Sequence, residues 1–353
     1  MLRARTAAAT VGLLVLPASW LSATAAAGTD GFPPAPRDAE GRFENLAGPI
    51  ERAGFGVTAP FGLRRIWGSL TGRDGAPEVV PNDGAFLRRN ARHSVPTVTW
   101  VGHATLLIQM GGLTFLTDPT WSKTASPVAW FGPRRFVEPG LALEALPPID
   151  FVVISHNHFD HLDLRTLERL ARRGDGTHFL VPVGNGALLR SRGIEHVDEL
   201  DWGEARTLSG VEVVCVPAQH WSRRGLRDER RALWASWVVA AADRRFYFGG
   251  DTGYFAGFAD IGAKLGPFDL AAVPIGAYEP QAMMRPFHLD PEQAIQAARD
   301  LRAQRVVGVH FGTFDLSDEP LGEPPRRFRA AAEAAGFSES EAWILRIGET
   351  RAF

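Results

Sequence analysis

Phe151-Val-Val-Ile-Ser-His-Asn-His-Phe-Asp-His161 runs from a continuous apolar strand into a loop that carries three of the chain's ten histidines. The unbroken run Phe151-Val-Val-Ile154 reads as a strand. In extended backbone, side chains two residues apart lean to one side, so His156 and His158 reach a common metal ion. Asp160 and His161 follow a change of direction and reach a second ion nearby. Imidazole together with carboxylate suits zinc and similar borderline ions better than calcium or magnesium.

Further ligands belong at other strand ends. His220 follows the strand Val211-Glu-Val-Val-Cys-Val216, and His310 ends a strand predicted over 305–309. Asp251 sits in the turn Gly250-Asp-Thr-Gly253, where glycines let the backbone crowd a site. A lone histidine at a strand end is more often structural. Jointly with the histidine-rich loop, these residues make a candidate metal-binding set.

Outward from this set, short β-type runs occur at 98–101, 105–110 and 113–116, the last two joined by the hairpin signal Gly111-Gly112. Others follow at 179–183, 235–239, 245–248 and 270–273. Helical patterns cover 162–172, 185–192, 255–264, 291–303 and 325–335. This alternation predicts an α/β fold, with sheets covered by helices on their outer faces.

The 353 residues are 45% hydrophobic and 22% charged, an ordinary soluble balance. A formal net charge of −2 speaks against nucleic acid as a partner. Arg3 and Arg5, the apolar run Val11-Gly-Leu-Leu-Val-Leu16 and Ala23-Thr-Ala25 have the order of a secretory signal peptide. Residues 1–27 are therefore expected to direct export to the periplasm or the exterior. Residues 28–95, broken by Pro and Gly, are expected to form a linker and an arm packed on the core, with the catalytic domain at 96–353. Cys215 is the only cysteine and reads as a buried structural thiol.

The resemblance to a known family rests on many short motifs. Thr99-Trp-Val-Gly-His-Ala-Thr105, Phe115-Leu-Thr-Asp-Pro119, Leu146-Pro-Pro-Ile-Asp150, Leu200-Asp-Trp202, Gln219-His-Trp221 and Gly250-Asp-Thr-Gly-Tyr254 belong to it. So do Gly266-Pro-Phe-Asp-Leu270, Pro274-Ile-Gly-Ala-Tyr-Glu-Pro280, His288-Leu-Asp-Pro-Glu292 and His310-Phe-Gly-Thr313. With the histidine-rich loop, they resemble the N-acyl-phosphatidylethanolamine-hydrolysing phospholipase D family of the metallo-β-lactamase superfamily. The likeness runs from about Pro96 to the C-terminus, and Gly41-Arg-Phe43 and Asn45 match more faintly upstream.

The resemblance implies a metallo-β-lactamase αβ/βα sandwich: two mixed β-sheets flanked by helices, with the site at one edge. It implies one zinc on His156, His158 and His220 and a second on Asp160, His161 and His310. Asp251 and a hydroxide would bridge them, and iron and manganese are alternative metals. Asp118 looks like the acid that orients a ligand histidine. By the same resemblance His288 faces the substrate phosphate or leaving group, and with Asp251 and Asp160 it completes the candidate catalytic residues. Tyr278 and Glu279 match as pocket or orienting residues. His103 is expected to brace the first hairpin, and His93, His178 and His196 to be surface or structural residues.

Two ions ~3.5–4 Å apart share a water, lower its pKa and neutralise charge on a phosphoryl oxygen. A phosphodiester gains more from this than a neutral amide, because it carries negative charge into the site. The expected reaction therefore converts N-acyl-phosphatidylethanolamine, or a related phospholipid, to N-acylethanolamine and phosphatidic acid. A lactonase or other ester hydrolase is one competing reading, since fold does not fix substrate. A catalytically silent lipid- or metal-binding protein is another, and the complete ligand set counts against it. β-Lactam-opening members often use Cys as a ligand, whereas the matching turn here carries Asp251. A lipid substrate implies peripheral membrane contact. Trp121, Trp130-Phe131, Phe136 and Met283-Met284 offer an apolar lip, with Arg134 and Arg135 facing anionic head groups. A homodimer is compatible with all of this.

Overall fold

Three antiparallel strands open the first sheet: β1 (Thr97–Gly102), β2 (Thr105–Met110) and β3 (Leu113–Thr117). Gly111 and Gly112, both at positive φ, turn the hairpin between the last two. β4 (Phe151–Val153), β5 (His178–Pro182) and β6 (Val197–Leu200) then add in parallel. The second sheet repeats this plan. β7 (Ala205–Leu208), β8 (Val211–Val216), β9 (Ser236–Ala240) and β10 (Arg245–Phe248) are antiparallel. β11 (Leu270–Pro274), β12 (Val306–Val309) and β13 (Ala342–Trp343) follow in parallel. β14 (Thr350–Ala352) returns to pair with β1, so each sheet has seven strands. This computed structural model describes residues 31–50, 53–68, 75–91, 95–128 and 131–353. The expected signal segment, His93 and Trp130 lie outside the described residues.

The apolar run at β4 is buried on both faces, as a parallel strand between two layers must be. Phe151 and Val153 join the core between the sheets, where Trp100, Phe115, Trp237 and Phe246 also lie. Val152 and Ile154 point the other way, into a second core under the helices. That core holds residues of α2 (Ala85–Asn90), α3 (Leu164–Ala171) and α4 (Gly186–Arg190). Residues of α5 (Gly257–Leu265), α7 (Pro291–Asp300) and α8 (Glu323–Ala334) join the larger core. Fully burying one large apolar side chain stabilises by roughly 1.5–3 kcal/mol, so these layers dominate the fold's stability. The helix–sheet–sheet–helix order is the expected metallo-β-lactamase sandwich.

Two helices, α1 (Phe55–Gly68) and α6 (Gln281–Met284), touch each other instead of covering a sheet. Sequence patterning missed α1, because Gly56, Pro60 and Gly62 interrupt it. β6 and β7 were missed too. They are sheet edges, whose charged Asp198, Glu199 and Arg206 hide the strand pattern. Among the described residues, no helix is long and apolar enough to cross a membrane.

Candidate metal centre

The loop after β4 turns sharply: the N–H groups of His161 and Leu162 both donate to the carbonyl of His158. The turn separates its side chains into two groups. In the first, His158 Nδ1 lies 2.8 Å from His156 Nε2 and 3.3 Å from His220 Nε2. In the second, His161 Nε2 lies 3.1 Å from His310 Nε2 and 3.2 Å from Asp160 Oδ2. Asp251 stands between them. Its Oδ2 is 3.2 Å from His161 Nε2, 3.8 Å from His220 Nε2 and 3.9 Å from His156 Nε2. Its Oδ1 is 3.0 Å from His310 Nε2. The expected ligand residues are thus all brought together, at the C-terminal ends of strands.

Gly250 makes the Asp251 turn feasible. It has φ +58, and a Cβ there would lie 2.3 Å from Ser155 Cβ, inside contact distance. His310 and Asp118 also adopt positive φ, which is costly for residues with a Cβ.

The outer atoms of the ligands are fixed in turn. Asp118, just past β3, receives His161 Nδ1–H at 2.7 Å and the Ser155 hydroxyl at 2.6 Å. Ser155 Oγ lies 2.9 Å from His156 Nδ1, so one carboxylate aligns His161 directly and His156 through Ser155. His220 Nδ1–H donates to the Phe287 carbonyl at 3.0 Å. These bonds turn Nε2 of all three rings inward, where a metal ion would draw on its lone pair.

Asn45, from the N-terminal arm, grips the backbone of His220 on both sides. Its side-chain oxygen accepts from His220 N–H and its amide donates to the His220 carbonyl, each at 3.0 Å. Phe43 beside it is fully buried in the larger core. His103 does more than brace a hairpin: its Nε2 lies 2.9 Å from Asp160 Oδ2. Both residues lie in motifs of the family resemblance, so a signal existed; their partners were invisible because those partners are far away in sequence.

Burial and the crowding of neighbouring imidazoles push the pKa values of His156 and His220 well below the ordinary histidine value. Burial works against ionisation of Asp251 and Asp160, yet His161 and the other imidazoles outweigh it and hold both carboxyls well below their usual range. Neutral imidazoles and ionised carboxylates are the protonation states of metal ligands. Burial likewise opposes protonation of His310, but Asp251 and Asp160 raise it to about 9. A cation held by that group would take the place of the proton. The donor set of imidazoles and carboxylates fits a divalent borderline ion, which His156, His158 and His220 or Asp160, His161 and His310 would hold together with Asp251. Asp251 Oδ1, 3.0 Å from His310 Nε2, makes no hydrogen bond of good geometry although it is buried, as suits a ligand atom.

Above the ligands lies a cavity of about 450 Å³. Phe61 from α1, Phe159, Trp221, Met283, Met284 and Phe287 line it, with Asp251, His288 and His310 among its residues. His288 Nδ1 is 3.8 Å from Asp251 Oδ2, and burial lowers its pKa to about 4, so the ring is neutral. Met283 and Met284 of the expected lip therefore line the site itself. Trp121 and Arg135 are engaged elsewhere. Trp121 Nε1–H donates to the Leu141 carbonyl, while Arg135 donates to the carbonyls of Thr120 and Ser122 and lies over Phe314. Tyr278 is buried and bonds Glu323, while the Glu279 N–H donates to Glu319; neither lines the cavity.

Comparison with known proteins agrees with this geometry. The beta-lactamase superfamily domain matches residues 114–311, more than half of the chain. N-acyl-phosphatidylethanolamine-hydrolyzing phospholipase D 1 of Caenorhabditis elegans is 41% identical over 238 residues, 65% of this chain and 67% of that protein. The mitochondrial N-acyl-phosphatidylethanolamine-hydrolyzing phospholipase D of Saccharomyces cerevisiae is 34% identical over 262 residues, 72% of this chain but 55% of that protein. The chain thus spans little more than half the length of the yeast protein. Among solved structures, the metallo hydrolase Igni18 of Ignicoccus hospitalis aligns with a TM-score of 0.56 at 25% identity, over 73% of this chain and 98% of that one. The chain belongs to the beta-lactamase superfamily, as a metal-dependent hydrolase resembling the N-acyl-phosphatidylethanolamine-hydrolysing phospholipases D.

Proposed function

We propose that this protein is a dinuclear zinc phosphodiesterase that hydrolyses N-acyl-phosphatidylethanolamine or a related phospholipid. The observation that carries the proposal is the union of two ligand groups, joined by Asp251, with a largely apolar cavity of about 450 Å³ above them. The cavity's aromatic and Met lining suits the hydrocarbon part of a lipid beside the polar ligand groups. His156, His158 and His220 would hold one ion, Asp160, His161 and His310 the other, and Asp251 both. Ions held there would supply an acidic water near neutral pH and positive charge for a phosphoryl oxygen.

The chain's own residues do the rest. Phe61, Phe159, Trp221 and Met283 receive acyl chains and keep bulk water from the reacting bond. His288 stands beside Asp251, where its neutral ring hydrogen-bonds the phosphate or the leaving oxygen. Water adds across the P–O bond on the head-group side, giving N-acylethanolamine and phosphatidic acid. The proposal includes export and a peripheral meeting with a lipid surface, for which Phe55, Leu63 and Phe131 supply exposed apolar side chains.

The test is mass analysis of products after purified, metal-counted protein meets N-acyl-phosphatidylethanolamine micelles. Chelator-sensitive release of N-acylethanolamine and phosphatidic acid, with about two metal ions per chain as the two ligand groups require, is expected. Two ions without lipid turnover would overturn the substrate and redirect the site to lactones or smaller phosphodiesters.

A further inference from the structure

His103 stands outside the ligand set and yet contacts three of its members, Asp160, His161 and His310. Its ring is buried, 4.1 Å centroid to centroid from His310 and edge-on to Phe314 at 5.1 Å. Its Nε2 meets Asp160 Oδ2, the same oxygen that lies 3.2 Å from His161 Nε2 and 3.5 Å from His310 Nε2. Its carbonyl accepts the His310 backbone N–H at 3.1 Å and the Trp100 indole at 2.8 Å. The residue holds φ +54, a conformation costing roughly 1–3 kcal/mol for a side chain with a Cβ. Thr313 Oγ1 accepts the His103 N–H at 2.8 Å and stabilises that conformation.

We infer that His103 is the positioning residue of the second ligand group, setting Asp160 through its ring and His310 through its carbonyl. A neutral imidazole donates from one nitrogen only. Donation from Nε2 to Asp160 leaves a lone pair on Nδ1, and Nδ1 is buried with no hydrogen-bond partner, as that tautomer predicts. Asp160 then cannot rotate its oxygen away from the ring pair His161 and His310. The fold thus spends a strained residue on fixing a carboxylate and a ligand backbone at once.

The inference rests on the two-ion reading, and the experiment separates the two. Metal content and chelator competition are measured on the full chain as wild type, His103→Ala, His103→Gln and Thr313→Val, with thermal unfolding of each chelated protein alongside. Wild type holding fewer than two ions overturns the two-ion reading, and the inference with it. Given two ions in wild type, His103→Ala should release one of them at about 10–100-fold lower chelator concentration and keep the other unchanged. His103→Gln, whose amide still donates to Asp160, should recover most of the loss. Thr313→Val should loosen the same ion more weakly, and it remains informative if His103→Ala fails to fold. Equal retention of both ions in every variant overturns the positioning role. Equal loss in His103→Ala and His103→Gln also overturns it, in favour of direct ligation by His103.

Discussion

The two ligand groups are built by different parts of the chain. The second is braced from within the first sheet: Asp118 after β3 holds His161, and His103 between β1 and β2 meets Asp160. The Thr120 hydroxyl adds a bond to the Asp160 carbonyl at 2.9 Å. In the first group His156 shares the Asp118 anchor through Ser155, and His220 leans on segments outside the sheets. His220 depends on Asn45 of the arm and on the carbonyl of Phe287, in the loop before α7. Of these two residues, Phe287 also lines the cavity. The contrast teaches that one group is anchored to the rigid core throughout, whereas the other is tied to the core through His156 and to outlying segments through His220. Disturbance of the arm should reach the metal centre through the first group alone.

Asp251→Asn breaks the comparison outright, because Asp251 serves both groups. On the proposed two-ion reading, loss of its charge should strip both ions and lower turnover by on the order of 10³-fold, measured by metal counting beside product release. Full metal with normal turnover would mean that Asp251 bridges nothing. Asn45→Ala sharpens the comparison. It leaves the buried N–H and carbonyl of His220 unpaired, a loss of roughly 1–3 kcal/mol. The ion on His156, His158 and His220 should bind about tenfold more weakly, while its neighbour keeps wild-type affinity. Chelator titration of the cobalt-substituted protein resolves the two, and equal weakening of both would remove the distinction.

Legibility in the sequence followed the same divide. The ligand residues were readable because each follows a strand, where an apolar run stops and a His or Asp comes after it. Asp118 was readable for the same reason. The long strands and the helices with clear apolar stripes, such as 164–171 and 291–300, were found within a few residues. Helix α1 was not, since Gly56, Pro60 and Gly62 break its pattern and its face is set by the pocket it borders. The grip of Asn45 on His220 spans 175 residues and that of His103 on Asp160 spans 57, and no local pattern reports a hydrogen bond across such distances. Arg135 looked like a surface cation in sequence. Only the fold reveals the two carbonyls and the Phe314 ring that engage it.

His158 offers the finest test, because it alone in the first group has an outer nitrogen without a hydrogen bond. Its ring is held by packing: His156 at 4.5 Å, His220 at 5.1 Å and the edge of Trp221 at 4.6 Å. An aromatic pair of this kind contributes about 0.5–1.5 kcal/mol beyond area burial. Trp221→Leu keeps the pocket apolar and removes that contact. It should therefore weaken the first ion by roughly two- to tenfold, less than Asn45→Ala, and leave the second untouched. Chelator competition on the variant measures this directly, and a change in acyl-chain preference should accompany it, because Trp221 also lines the cavity. A Trp221→Leu protein with altered lipid preference but unchanged metal affinity would mean that His158 is fixed by the loop backbone alone. The pocket wall and the first group would then be neighbours without coupling, and the contrast between the two groups would rest on Asn45 and Phe287.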